Sequence, residues 1–192
     1  MEKYNHSKFP NRKESGFDKN EGKKNNVQPK LRVEGDGMHT IFLLAGGNLN
    51  NTTEKFEQLF SLFQERVGKI LHRSSYHQSE AWGFKSEYPF INIALCLQTK
   101  LSTFELLRAT QSIEKDLGRT SKTTTFYQDR TMDIDIIFYD NEIIKTDTLE
   151  IPHPKMHERD FVLTLLNEIA PNFIHPIFEV SVKELKTNII LR

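Results

Sequence analysis

Thr40 to Gly46 is an unbroken, mostly apolar run, closed by Gly46-Gly47-Asn48. A run of this length bounded by a turn signal predicts a central strand buried on both faces. Over 53–67 the apolar residues regroup as Phe56, Leu59, Phe60, Phe63 and Val67, one face of a helix. Residues 70–79 read as a second strand. Over 90–99, Phe90, Asn92, Ala94 and Cys96 alternate with Ile91, Ile93, Leu95 and Leu97. Both sets are mostly apolar, which predicts another strand buried on both sides and leaves Asn92 as a polar residue in apolar surroundings. Ser102-Thr103-Phe104-Glu105 is a capping box that opens a helix running to Gly118. A polar loop over 119–129 leads to a strand at 131–138, a turn at Tyr139-Asp140-Asn141 and a short return strand at 142–144. After Pro152-His153-Pro154, residues 155–169 read as a helix and 181–186 as one helical turn. The predicted order is β-α-β-β-α-β, then an extra hairpin strand and a C-terminal helix. This is an α+β plan with a ferredoxin-like core, an antiparallel sheet with helices packed on it.

Composition divides the chain. Residues 1–37 are rich in Lys, Asn, Glu and Gly and hold nine Lys/Arg against six Asp/Glu. Such a segment buries too little apolar surface to offset its ordering entropy, so it is expected to be a disordered N-terminal extension. The folded domain is expected over 38–192, where seventeen Lys/Arg face twenty Asp/Glu. A mildly acidic body argues against bulk attraction to nucleic acid. Cys96 is the only cysteine and falls in a strand pattern, which predicts a buried, inert thiol in a reducing compartment. No apolar stretch approaches the ~20 residues of a membrane span. The N-terminus lacks the apolar core of a secretory signal, so a cytoplasmic location is expected.

The sharpest chemical signal is Arg130-Thr131-Met132-Asp133-Ile134-Asp135-Ile136-Ile137-Phe138. On a strand, residues two apart share a face, so Asp133 and Asp135 project side by side. Two neighbouring carboxylates repel each other and are costly to desolvate without countercharge. Lys or Arg could neutralise them, as could a hard divalent cation such as Mg2+. Two such ions about 3.5–4 Å apart form a clamp for in-line phosphoryl transfer. The alternative is a solvent-facing pair at a strand end.

Four segments occur together: Gly46-Gly47-Asn48-Leu49; Ile113-Glu114 with Leu117-Gly118-Arg119; Arg130-Thr131 with Asp133-Ile134-Asp135-Ile136; and Pro152-His153 with Met156, Arg159 and Phe161-Val162-Leu163, running on to Glu168-Ile169-Ala170-Pro171. In this order and spacing the chain resembles the 6-hydroxymethyl-7,8-dihydropterin pyrophosphokinases over roughly residues 38–186. The resemblance implies transfer of a diphosphate from ATP to the hydroxymethyl group of the dihydropterin, releasing AMP, in folate biosynthesis. It implies Asp133 and Asp135 as ligands of two Mg2+ ions, with Arg119 and Arg130 completing the catalytic set. Asp135 as general base is left open. It implies a nucleotide site of Gln111, Glu114, Lys122, Tyr127, Arg130, Ile136, His153 and Arg159, and a pterin site of Ser79, Glu80, Trp82, Phe90, Asn92 and Phe161.

The chemistry suits these residue types. Planar guanidinium groups grip two phosphate oxygens at once. Aromatic faces stack on a flat heterocycle, and an amide offers donor and acceptor together to its edge. Bland alternatives stand beside several of these roles: surface arginines, a solvated loop His153, core Phe90 and Phe161, and Glu114 paired structurally with an Arg. Departures from the family pattern fall at Gly47, Ser121, Lys122, Tyr127 and Pro154 and bear on the grip on nucleotide. The loops at 83–89 and 119–129 are expected to close over substrate. The expected partners are the small molecules ATP and the dihydropterin, with no nucleic acid, no membrane and a monomeric state. A single-stranded RNA-binding module on the same fold is one competing reading, which requires a basic, aromatic sheet face; a degenerate relative that binds nucleotide without transferring anything is another.

Overall fold

The computed structural model describes residues 37–49, 52–80, 86–119, 129 and 131–190. The expected N-terminal extension, apart from Gly37, lies outside these residues, as does most of the 119–129 loop. The apolar run is strand β1 (His39–Gly47), the centre of the main sheet. It pairs antiparallel with β4 (Phe90–Thr99), from His39↔Thr99 to Gly47↔Ile91, and on its other side with β5 (Asp133–Tyr139). Strands β2 (Gly68–Arg73) and β3 (His77–Ser79) both pair with the outer side of β4. The order is β2-β4-β1-β5, all antiparallel, with β3 beside the start of β4. Helix α1 (Thr52–Arg66) falls between β1 and β2, and α2 (Thr103–Asp116) between β4 and β5. This is the α+β class the pattern predicts.

Period-two alternation sorts β1 between two cores. Ile41, Leu43 and Ala45 pack with Phe56, Leu59 and Phe63 of α1 and Leu106 and Ile113 of α2. Phe42 and Leu44 pack on the opposite side with residues of α3 (Asp160–Ile169) and α4 (Val182–Ile190). Each large side chain so buried contributes roughly 1.5–3 kcal/mol relative to exposure. Cys96 sits in the second core, where burial pushes its thiol up to about 12 and keeps it protonated and unreactive. Both sheet faces are covered by helices, which removes the open platform an RNA-binding sheet presents. Among the described residues no helix is long and apolar enough to cross a membrane.

Four expectations need correction. The strand expected over 70–79 is two pieces, because Ser74 and Ser75 divert hydrogen bonds from the ladder. The Ser74 hydroxyl accepts the Ala94 N–H at 2.9 Å, and Glu168 accepts both the N–H and the hydroxyl of Ser75. The expected return strand at 142–144 does not pair back on β5. Asp140 takes a left-handed φ of 43° and its carboxylate accepts the Thr40 N–H at 2.8 Å, so the chain turns away at the end of the β1–β5 ladder. Residues Ile144–Lys145 (β6) instead pair with Glu150–Ile151 (β7) as a separate ribbon. The helix expected over 155–169 is broken into a 3-10 turn (Met156–Glu158) and α3, with Arg159 extended between them (φ −106°, ψ 104°). The single turn expected at 181–186 is the longer α4. The sequence reading missed its capping box: Ser181 N–H donates to Glu184 Oε2 at 2.8 Å, and Glu184 N–H donates to Ser181 Oγ at 3.1 Å.

Beside the second core, His175 is 2% exposed. Its ring stacks on Phe178 with centroids 4.4 Å apart, and its Nδ1 accepts the N–H of Ile177 at 3.2 Å and of Phe178 at 3.3 Å. Burial pushes its pKa down to about 4, and nearby His157 adds to the effect. The folded value lies below the unfolded one, so the unfolded chain takes up the proton first as pH falls. The neutral ring's contribution is therefore complete above an unfolded pKa of about 6.5 and is lost on the descent towards about 4, a loss of at most about 3 kcal/mol. Urea unfolding across this range should show that decline, and His175→Gln should flatten it. An equally steep decline in the variant would exclude His175 as its cause.

Candidate active site

Asp133 and Asp135 open β5 and point to the same face of the sheet. Their side chains are 26% and 28% exposed, and each is met by a cation. Arg119, just beyond the end of α2, donates from Nη1 to Asp133 Oδ1 at 2.6 Å, and the same nitrogen donates to Glu114 Oε1. Glu114 Oε1 also accepts the Ile134 N–H at 2.8 Å. Burial, with Asp133 close by, pushes the Glu114 carboxyl up to about 7, and Arg119 opposes the shift. Glu114 thus has the structural pairing with an Arg that the sequence left open.

Asp135 faces Arg159 Nη1 at 3.4 Å and His153 Nε2 at 3.9 Å. The extended backbone at Arg159 begins α3 just beyond it, and the Arg159 side chain is only 10% exposed. His153 is anchored beside β5 by its N–H, which donates to the Ile137 carbonyl at 3.0 Å. Its Nδ1 accepts the Lys155 N–H at 3.2 Å, which leaves the ring proton on Nε2, towards Asp135. Burial lowers the His153 pKa, with Arg159 adding to this and Asp135 opposing it. A neutral imidazole with an outward Nε2–H can donate a hydrogen bond to an anion.

A cleft of about 330 Å³ runs along β5, between α2 and the β6–β7 ribbon. Gln111, Glu114, Ile136 and His153, four of the expected nucleotide residues, all line it with Arg119 and both aspartates. Its size falls in the range of small-molecule pockets. The ribbon also brings Asp147 and Glu150 to the lining, and α2 brings Thr110. The sequence reading missed these three, because no local signal says that residues 144–151 fold back beside α2.

Three of the expected pterin residues, Ser79, Phe90 and Asn92, come together at the start of β4. Asn92 is 5% exposed, and its Nδ2 donates to Ser79 Oγ at 2.9 Å, across the β3–β4 pairing in which Ser79 faces Phe90. Glu80 follows exposed at the end of β3, and Phe161 is half-buried in the first turn of α3 against the second core. Gly46 pairs with Asn92 on one side and with Asp133 on the other. Residues directly opposite share a face, so Asn92 and Asp133 look out on the same side, about 10 Å apart across two strand spacings. A Cβ at Gly46 would lie 2.4 Å from Asn92 Oδ1, so the amide lies over the bare glycine. Arg130, Lys122, Tyr127 and Trp82 lie outside the described residues.

The donor set at β5 suits a hard cation. It offers carboxylate oxygens with no thiol, and Mg2+ is typically held by one or two carboxylates together with substrate phosphates. Among the described residues, the cleft lining carries five acidic side chains, Glu114, Asp133, Asp135, Asp147 and Glu150, against a single guanidinium, that of Arg119. A polyphosphate would meet net repulsion there unless cations came with it.

Residues 42–171 match the model of the 7,8-dihydro-6-hydroxymethylpterin-pyrophosphokinase family. A 2-amino-4-hydroxy-6-hydroxymethyldihydropteridine pyrophosphokinase of Porphyromonas gingivalis is 38% identical over 141 residues, 72% of this chain and 95% of that protein. Its counterpart in Aquifex aeolicus is 36% identical over 149 residues, 78% of this chain and 91% of that protein. The fold is also similar to a crystal structure of a Plasmodium falciparum HPPK-DHPS, with a TM-score of 0.67 at 15% identity. The match covers 83% of this chain and 47% of that one, so the chain spans about half the length of that solved protein. The chain belongs to the 7,8-dihydro-6-hydroxymethylpterin-pyrophosphokinase family.

Proposed function

We propose that this protein transfers a diphosphate from ATP to the hydroxymethyl group of 6-hydroxymethyl-7,8-dihydropterin, forming AMP and the pterin diphosphate, on a ferredoxin-like core. The order β2-β4-β1-β5 with two helices on one face supports that description of the core. The observation that carries the functional reading is the row Asn92–Gly46–Asp133. It sets an amide suited to a heterocycle edge and a carboxylate suited to a phosphate-bound cation on one face of one sheet.

In this reading Asp133 and Asp135 would hold two Mg2+ ions together with the ATP phosphates. When bound, the ions neutralise the polyphosphate and lower the pKa of the attacking hydroxyl. The hydroxymethyl oxygen forms its bond to the β-phosphorus as the bond from that phosphorus to the α-phosphate bridging oxygen breaks; AMP leaves with that electron pair, and the hydroxyl proton passes to water. Arg119 and Arg159 act as movable countercharge: they neutralise the carboxylates in the free protein and turn to phosphate oxygens once the aspartates are engaged. His153 donates from Nε2 to a phosphate oxygen. Gln111 and Ile136 line the nucleotide side of the cleft. Phe90 and Phe161 stack on the pterin, Asn92 reads its edge, and Ser79 holds the Asn92 amide in place. Arg130, Lys122, Tyr127, Trp82 and Glu80 retain the roles the family resemblance assigns.

AMP should appear from ATP only when the dihydropterin and Mg2+ are both present. Asp133→Ala and Asp135→Ala should each lower kcat by about 10³-fold or more without loss of the folded state. Full turnover in either variant would overturn the assignment of the pair. Gly46→Ala, which sets a methyl group against the Asn92 amide, should weaken pterin binding about tenfold or more while leaving affinity for an ATP analogue within about threefold. Calorimetric titration with each ligand in turn checks this, and equal losses for both ligands would count against the placement of Asn92.

A further inference from the structure

We propose that Asn48, Ser86 and Asp129 form a clasp that positions the pterin end of the site against the carboxylate end, so that all three are positioning residues; the proposal rests on the diphosphate-transfer reading above. Asn48 directly follows β1 and is 7% exposed. Its Nδ2 donates to Asp129 Oδ1 at 2.6 Å and lies 3.1 Å from Ser86 Oγ and 3.2 Å from the Tyr88 carbonyl. Ser86 Oγ donates to the same Asp129 oxygen at 2.6 Å. Two donors thus converge on one carboxylate oxygen, and hydrogen bonds to a charged acceptor are the strong kind.

The three residues come from three separate stretches of chain. Asn48 leaves β1, Ser86 precedes β4, and Asp129 precedes β5. Tyr88 is two residues before Phe90, and Asp129 is four before Asp133. The ladders fix β4 and β5 against β1 only up to the pairs Gly47↔Ile91 and Gly46↔Asp133. Among the described residues, β1 pairs with neither approaching segment beyond those pairs, and only Ser79↔Phe90 of β3 carries the sheet one residue further on the β4 side. The clasp supplies that link at the end of the sheet where Asn92 and Asp133 look out together. None of the three lines the cleft, and Asp129 is exposed, so the cluster is not needed to fill a core. In-line transfer depends on sub-ångström placement of one reactant against the other, and a displacement of about 1 Å remote from the chemistry can cost about 10²-fold.

Steady-state kinetics and thermal unfolding of Asp129→Ala, Asp129→Asn and Ser86→Ala test the clasp. Asp129→Ala should lower kcat about tenfold or more, with KM for ATP and for the pterin each within about threefold. Its melting temperature should stay within about 2 °C of the parent, because an exposed loop residue carries little stability. Asp129→Asn keeps an acceptor oxygen and should recover kcat to within about threefold of the parent, with Ser86→Ala falling between the two. Unchanged kcat in Asp129→Ala, an effect confined to KM, or an Asp129→Asn as impaired as the alanine variant overturns the clasp and leaves the diphosphate-transfer reading intact. A parent protein that forms no AMP with both substrates and Mg2+ present overturns that reading, and the clasp with it.

Discussion

Two carboxylates on one face of one strand need countercharge, and the site is organised around supplying it. Asp133 draws in Arg119, and Arg119 draws in Glu114. Asp135 draws in Arg159, with His153 nearby. Every one of these partners lies outside β5, so charge neutralisation ties the end of α2, the turn before α3 and the segment after β7 to a single strand. In the diphosphate-transfer reading, the protein thereby holds its cations next to the polyphosphate. That arrangement stores positive charge without leaving it exposed, and it presents the carboxylates whenever a stronger cation competes for them.

The doubly paired β1 gives this charge cluster a fixed neighbour. Because β1 is bonded to β4 and β5 along most of its length, two ladders set the backbone spacing between Asn92 and Asp133, and the proposed clasp bears on the segments that lead into those strands. Gly46 sits in the middle of the row, and its missing side chain is what lets the Asn92 amide lie across the strand. The same alternation that fills two cores with Ile41, Leu43, Phe42 and Leu44 leaves the far end of β1 bare, where ligand can approach.

Departures from regular structure fall where the site is built. The break at Arg159 divides what periodicity alone reads as one helix, and the divided geometry brings a buried guanidinium to Asp135. The turn at Asp140 sends the chain away from β5, and the β6–β7 ribbon it leads into forms one wall of the cleft. A continuous helix and a returning hairpin would each satisfy the hydrophobic pattern. They would place neither the cation nor the wall.

Much of the fold was legible along the chain. The buried strands 40–46 and 90–99, the capping box at Ser102, the Asp133/Asp135 pair and the isolated Asn92 all follow from local pattern, because alternation and capping act between residues a few positions apart. Local pattern gave only one helical turn at 181–186, and the α4 cap at Ser181 and Glu184 was missed. What the chain alone left undetermined are relations between distant residues. These include which carboxylate Arg119 and Arg159 meet, that Glu114 shares Arg119 with Asp133, that Asp147 and Glu150 reach the cleft, and that Asn48 joins Ser86 to Asp129. Electrostatic pairs and hydrogen bonds form between whatever groups the packed backbone brings within a few ångströms. Only the tertiary structure, by setting those distances, decides them.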